Sequence, residues 1–201
     1  MKIITISISI LIIIILFYKK KKYESFTIKK SLNYLKELKF KNSAYTLPSS
    51  DINKFKKNNY PTLYGNLKFE GLNEIIKTIN DYKGNKWIKN KTFIDLGSGD
   101  GRVNIWSIYF NIKKSIGIEL SKKRHDIAME NKKKLNIEDQ EKIEFINEDL
   151  FKYNMKDVDI IYISSYAFSE TMKIKLFNKF DNELKKHTLI FSTKELINNN
   201  L

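Results

Sequence analysis

Apolar residues fall in three kinds of run along these 201 residues. The first is a single block, residues 3–18, which holds no charge, is dominated by isoleucine and leucine, and is followed at once by four lysines, 19–22. The second kind recurs at the spacing of an amphipathic helix. It comprises Phe26, Leu32, Leu35 and Leu38 within residues 25–41, then Phe69, Leu72, Ile75, Ile76 and Ile79. The third kind is short and β-favouring, and predicts five strands at 92–96, 115–119, 143–147, 158–163 and 189–192. Helices are predicted between them, at 103–110, from Ser121 as N-cap to about 135, and at 170–184. Residues 45–60, with Pro48, Ser49, Ser50, Asn58 and Asn59, read as a loop, and 81–91 as a polar connector. Strand and helix alternate, so the expected class is α/β, a Rossmann-like doubly wound parallel sheet.

The first block divides the chain. A helix of its length rises roughly 24 Å, slightly short of a ~30 Å hydrocarbon core, and flanking lysines snorkel to cover the difference. A cleaved signal peptide is the rival reading, but only Lys2 precedes the block and no small-x-small site follows it. An uncleaved, single-pass transmembrane helix is expected, with the downstream domain on the cytosolic side by the positive-inside rule. A mitochondrial membrane suits the same features. The expected organisation is 1–22 anchor and basic flank, 23–59 amphipathic helix and linker, and 60–201 the α/β domain.

Charge changes this picture little. The net charge is +14, but arginine occurs only at Arg102 and Arg124, so 35 of the 37 basic residues are lysine. Nucleic-acid surfaces also use arginine for forked phosphate contacts. The charge is compatible with an anionic partner, nucleic acid included, without specifically indicating one. There is no cysteine, which excludes disulfides and thiolate metal sites. His125 and His187 stand alone in polar surroundings, and no metal is expected.

The candidate chemistry starts at the end of the first predicted strand. Asp95-Leu96-Gly97-Ser98-Gly99-Asp100-Gly101-Arg102 is a strand running through a glycine turn into a helix. Such a turn lets the backbone approach a nucleotide-like ligand and offers it N–H groups. Three acids coincide with strand ends: Asp95, Glu119 and Asp149. Ligands of open parallel sheets sit beyond those ends. Glu119 lies 18 residues past Gly101, about where an acid accepts from a ribose diol. Asp149 is placed to accept from the amine of an adenine, with Leu150 or Phe151 against its ring. The glycines allow NAD, but Asp95 and Asp100 put negative charge where a pyrophosphate would lie. The sulfonium cofactor S-adenosylmethionine (SAM) suits them better. The cofactor set is then Asp95, Gly97, Ser98, Gly99, Gly101, Glu119, Asp149 and Leu150.

Residues 95–102 resemble the SAM-binding turn of class I (seven-strand) methyltransferases, and Gly117-Ile118-Glu119-Leu120 their second-strand acid. More narrowly, residues 60–192 are similar to the non-SET histone-lysine methyltransferases of the disruptor-of-telomeric-silencing type. Leu63-Tyr64-Gly65-Asn66 resembles that family's Tyr-Gly-Glu loop over the cofactor. Ile161 to Phe168, ending Ser164-Ser165-Tyr166-Ala167-Phe168, resembles its Asn-Asn-Phe-Ala-Phe. The membrane-anchored mitochondrial lysine methyltransferases share the turn at 95–102 and an N-terminal apolar segment. Asn66 stands in place of the family's glutamate, and Ser164 and Ser165 in place of its asparagines. Seven-strand relatives carry two strands after the fifth, and only nine residues follow Ser192, so the sheet is expected to lack them or the sequence to be a fragment.

The resemblance implies methyl transfer to a protein lysine, in a histone or a membrane-associated protein. Tyr64 and Ser164 are then added to the cofactor site. Tyr64, Tyr166 and Phe168 are expected to wall an apolar channel that favours the neutral amine, and Ser164 or Ser165 to orient it. The segment after the fourth strand lacks the Asp/Asn-Pro-Pro-aromatic tetrad of adenine-amine methyltransferases. RNA or small-molecule acceptors, or a degenerate SAM fold acting as a membrane-tethered binding protein, are the alternatives.

Overall fold

The computed structural model describes residues 38, 40 and 42–196. The apolar block at 3–18 and most of the amphipathic stretch at 25–41 lie outside them. Among the described residues no helix is long and apolar enough to cross a membrane.

Five parallel strands form one sheet: β1 (Thr92–Leu96), β2 (Lys114–Ile118), β3 (Ile143–Ile146), β4 (Ile160–Ile163) and β5 (Leu189–Ser192). Their order across the sheet is β3-β2-β1-β4-β5. The central strands β1 and β4 are buried on both faces, and β4 is apolar throughout as that burial favours, while β1 buries one carboxylate, Asp95. One face packs Ile94, Leu96, Ile116, Ile118, Ile161 and Ile163 with Met155, Val158, Leu176 and Phe180. β2 is displaced one residue from expectation, which leaves Glu119 just past its carboxyl end.

The described α-helices are α1 (Ser49–Lys57), α2 (Phe69–Lys83), α3 (Arg102–Ser107), α4 (Lys122–Lys132), α5 (Ile137–Glu141) and α6 (Glu170–Glu183). Ser121 caps α4 through its side chain, and Ser169 caps α6 in the same way. α2 buries Phe69, Leu72, Ile76 and Ile79, and ends at Gly84, whose φ of +87° suits glycine. The helix expected over 103–110 tightens into a 3-10 turn at Ile108–Phe110, and the one expected to reach about 135 stops at Lys132.

Residues 45–60 are a correction to the expected loop. They contain α1, with Pro48 at its N-cap and Asp51 in its first turn. The proline reads as a breaker, yet it is tolerated where a helix begins because the missing N–H has no partner there. The polar connector expected at 81–91 likewise holds the end of α2 and a 3-10 turn at Trp87–Asn90, anchored by buried Ile88.

Candidate cofactor site

In this sheet the strand order reverses at β1, whose neighbours are β2 on one side and β4 on the other. The crevice beyond the carboxyl ends of β1 and β4 is where such a sheet binds ligands. A cavity of about 220 Å³ lies there, lined by Leu96, Gly97, Ile118, Glu119 and Ser164 from the strand ends. The remaining walls include Tyr60, Leu63, Tyr64, Arg124, Asp149, Leu150, Tyr166 and Phe168. Leu63 and Tyr166 are 65% and 63% exposed, so they mark its open rim.

The turn is fixed by backbone hydrogen bonds. The N–H groups of Gly97 and Ser98 donate to the carbonyl of Ile118 at 2.8 and 3.0 Å, tying β1's end to β2's. Gly97 has a φ of +88° and lines the cavity, and a Cβ built on it meets nothing within 4 Å. Open space therefore faces a backbone that a ligand can approach closely. Gly99 and Gly101 do not line the cavity. A Cβ on Gly99 would sit 2.2 Å from the Tyr64 ring, and one on Gly101 would sit 2.3 Å from Phe145. Two of the three turn glycines thus serve packing.

Glu119 is buried at the cavity wall. Its carboxylate accepts from the Gly99 N–H at 2.9 Å and from the Ser121 N–H at 2.8 Å. Burial raises its pKa, and the two N–H donors and the Arg124 guanidinium oppose the rise. Asp149 accepts from the Tyr60 hydroxyl at 3.0 Å and from the Phe151 N–H at 2.9 Å. Leu150 lines the cavity, whereas Phe151 packs on Tyr60 with ring centroids 5.7 Å apart. Asp95 is buried within β1 and does not line the cavity. Burial, with Glu119 and Asp100 near, pushes its carboxyl well above the usual range.

Besides Asp95, Gly99 and Gly101, three further residues differ from expectation. Asp100 is not a bare charge: it forms a forked ion pair with Arg102, Nη2 to Oδ2 at 2.6 Å. It therefore does not repel a pyrophosphate as its place in the turn implied. Ser165 is not brought to the cavity. It is fully buried, and its hydroxyl is held by the backbone of Lys194, accepting from that N–H at 3.1 Å and donating to that carbonyl at 3.2 Å. Ser98 is buried too, its Oγ has no hydrogen-bond partner, and it fills the space beside Gly117 of β2. Ser164, Tyr64, Tyr166 and Phe168 do meet at the cavity.

Sequence reasoning missed Arg124. Its guanidinium is buried, donates to the carbonyls of Ala44 and Thr62 at 3.0 Å each, and lies 4.6 Å over the Tyr64 ring. It ties the segment before β1 to the cavity wall. Asp51 does the same from α1. It is buried and accepts from the Ser121 hydroxyl at 2.6 Å and from the Lys123 N–H at 3.1 Å. The signal was present: in a chain that uses lysine almost everywhere, both arginines form buried or partly buried ion-pair and stacking contacts near the turn.

The site's donor set fits SAM. Gly97 offers the cradle, Glu119 and Asp149 offer acceptors for a diol and an amine, and Leu150 and Phe168 offer apolar walls. Comparison with known proteins agrees. Residues 95–194 match the ANTKMT methyltransferase domain. Over 159 residues the chain is 30% identical to the Caenorhabditis elegans histone-lysine N-methyltransferase, H3 lysine-79 specific, a stretch that is 73% of this chain and 16% of that protein. The chain thus spans about a sixth of that relative. The fold is similar to that of an RNA methyltransferase from Salinibacter ruber solved with S-adenosyl-L-homocysteine, with TM-score 0.50 and 20% identity over 64% of this chain and 76% of that one. It is also similar to that of YjhP from E. coli, with TM-score 0.52 and 17% identity over 65% of this chain and 50% of that one. Strand order, glycine turn and matched domain converge: the chain belongs to the class I SAM-dependent methyltransferases, and SAM is its cofactor.

Proposed function

We propose that this methyltransferase acts on a lysine side chain of a protein. One observation carries the reading: the cavity lined by Glu119 and Gly97 is also lined by the rings of Tyr64, Tyr166 and Phe168, with Tyr166 at its open rim. Rings at the exit of a cofactor cavity suit a long aliphatic side chain ending in a cation, which they contact through carbon and through the ring face. The likeness to a histone-lysine methyltransferase and to the ANTKMT methyltransferase domain supports the same acceptor.

SAM supplies an activated methyl group on a sulfonium. The chain supplies alignment, which is the larger part of catalysis for an in-line displacement. Glu119 and Asp149 hold polar groups at the strand ends. Arg124 and the Tyr60–Asp149 bond hold the covering segment in place. The aromatic rim excludes water and disfavours an ammonium relative to an amine. Ser164, just past β4, lines the cavity, and in this reading its hydroxyl orients that amine. Residues 3–18 tether the enzyme to a membrane in this proposal, with the α/β domain on the cytosolic side, and the substrate is a histone or a protein at that membrane.

Incubation of the purified protein with a cell lysate and radiolabelled SAM, followed by mass spectrometry, tests the acceptor. Label on protein lysine is the expected result. Label in RNA or in small molecules overturns the lysine assignment. Failure to bind SAM in calorimetry at millimolar concentration overturns the enzyme itself, in favour of a degenerate fold used for binding.

A further inference from the structure

Ser165 is placed by the fold to hold one lysine of this chain beside the cavity. Its single hydroxyl bonds both the N–H and the carbonyl of Lys194. Ser192, at the end of β5, donates to the same carbonyl. Residue 194 is thereby pinned against the segment after β4, which carries Ser164, Tyr166 and Phe168. The Lys194 ammonium lies 4.5 Å from the centroid of the Tyr166 ring. Tyr166 is one of the rings at the open rim of the cavity. A lysine head group therefore already rests on the aromatic surface that an incoming lysine would meet, and its backbone is held by hydrogen bonds rather than left to a free tail.

We propose that Lys194 is a methyl acceptor in its own chain, modified in cis at the cavity rim. The inference rests on the lysine reading of this site. The step balances simply. The unprotonated Nζ of Lys194 forms the new N–CH3 bond while the S–CH3 bond of the sulfonium breaks. The sulfur keeps the bonding pair as a neutral thioether, and the displaced proton goes to solvent, to which this exposed side chain is open. The backbone at 194 is fixed beside Ser165, so in this proposal the side chain alone carries Nζ from the Tyr166 ring into the cavity.

Peptide mapping by mass spectrometry tests the proposal on the full chain, both as isolated from cells with no cofactor added and after incubation with methyl-deuterated SAM. The expected result is methylated Lys194 in the isolated protein. Deuterated methyl should be gained at Lys194 at a first-order rate that does not change with protein concentration. Lys194→Arg keeps the backbone contacts and a cation over Tyr166, and is expected to lose the self-label entirely. A rate that scales with protein concentration overturns modification in cis. An unmodified Lys194 in a preparation that still labels lysines of lysate proteins overturns this proposal and leaves the lysine reading standing. Absence of lysine label in both arms, with SAM still bound in calorimetry, overturns the lysine reading and this inference with it.

Discussion

Tyr60 and Asp149 show how a carboxylate is set in place ahead of a ligand. The phenol donates to both carboxylate oxygens, at 3.2 and 3.0 Å, and its pKa is pushed up by burial and by the facing charge, so it stays a donor. Tyr60→Phe removes that donor and leaves the ring packed on Phe151. The SAM dissociation constant is expected to rise by at least roughly tenfold, the low end of the ~1.5–3 kcal/mol of one hydrogen bond to a charged group. Calorimetry checks it, and unchanged affinity would mean that Asp149 needs no orienting partner. Gly99 gives a second prediction. Its φ is +57° and the space beside it belongs to Tyr64, whose hydroxyl accepts from the Asp100 N–H at 3.1 Å. Gly99→Ala forces that ring away and strains the turn by about 1–2 kcal/mol. Both weaker SAM binding and a lower melting temperature are expected, and thermal unfolding with and without SAM separates the two effects.

At the scale of elements, the start of β4 is fastened to β1 by Asp159. Its carboxylate accepts from the Thr92 N–H at 2.9 Å and pairs with Lys185 at 2.9 Å and Lys91 at 3.5 Å. Burial alone would raise its pKa, but these donors outweigh it and hold the carboxyl below the usual range. The folded state therefore binds the proton less readily than the unfolded state. The stabilisation is present above the ordinary aspartate value of about 3.9 and is lost as pH falls through the lower folded value. Asp159→Asn is expected to cost about 1.5–3 kcal/mol near neutral pH and progressively less in acid. Urea melts at the two pH values read the difference; an equal loss at both would assign the effect to packing. β4 was legible because a strand buried on both faces is mostly apolar, as in Ile160–Ile163, and β3 because Ile143 and Phe145 are buried on either side of exposed Glu144. α1 was not, because it buries only Asp51 and Phe55, and one carboxylate and one ring make no stripe. α5 buries nothing and leaves no pattern. Glu119 and Asp149 could be read from their distance to strand ends. The commitment of Ser165 to Lys194, and of Arg124 to Ala44 and Thr62, could not, since each joins segments far apart in sequence.

For the whole molecule, the proposed membrane tether is tested through the composition of the block at 3–18. It holds nine isoleucines, two leucines and one phenylalanine. On an insertion scale these sum to on the order of −5 kcal/mol, while one aspartate at the centre of a span costs roughly 2.5–3.5. Two central carboxylates therefore cancel the whole driving force. Wild-type protein is expected to stay in the membrane pellet after alkaline carbonate, which strips proteins held only by charge. The pair Ile10→Asp and Ile13→Asp leaves residues 19–22 and the net basic character intact, and is expected to move the protein to the supernatant. If attachment came instead from lysines meeting anionic headgroups, carbonate would release both proteins alike and high salt would weaken both equally. Retention of the double variant would show that the apolar block is not what holds the chain. Release of the wild type would overturn insertion and, with it, the choice of a membrane-associated substrate, while leaving the cofactor site at Gly97 and Glu119 untouched.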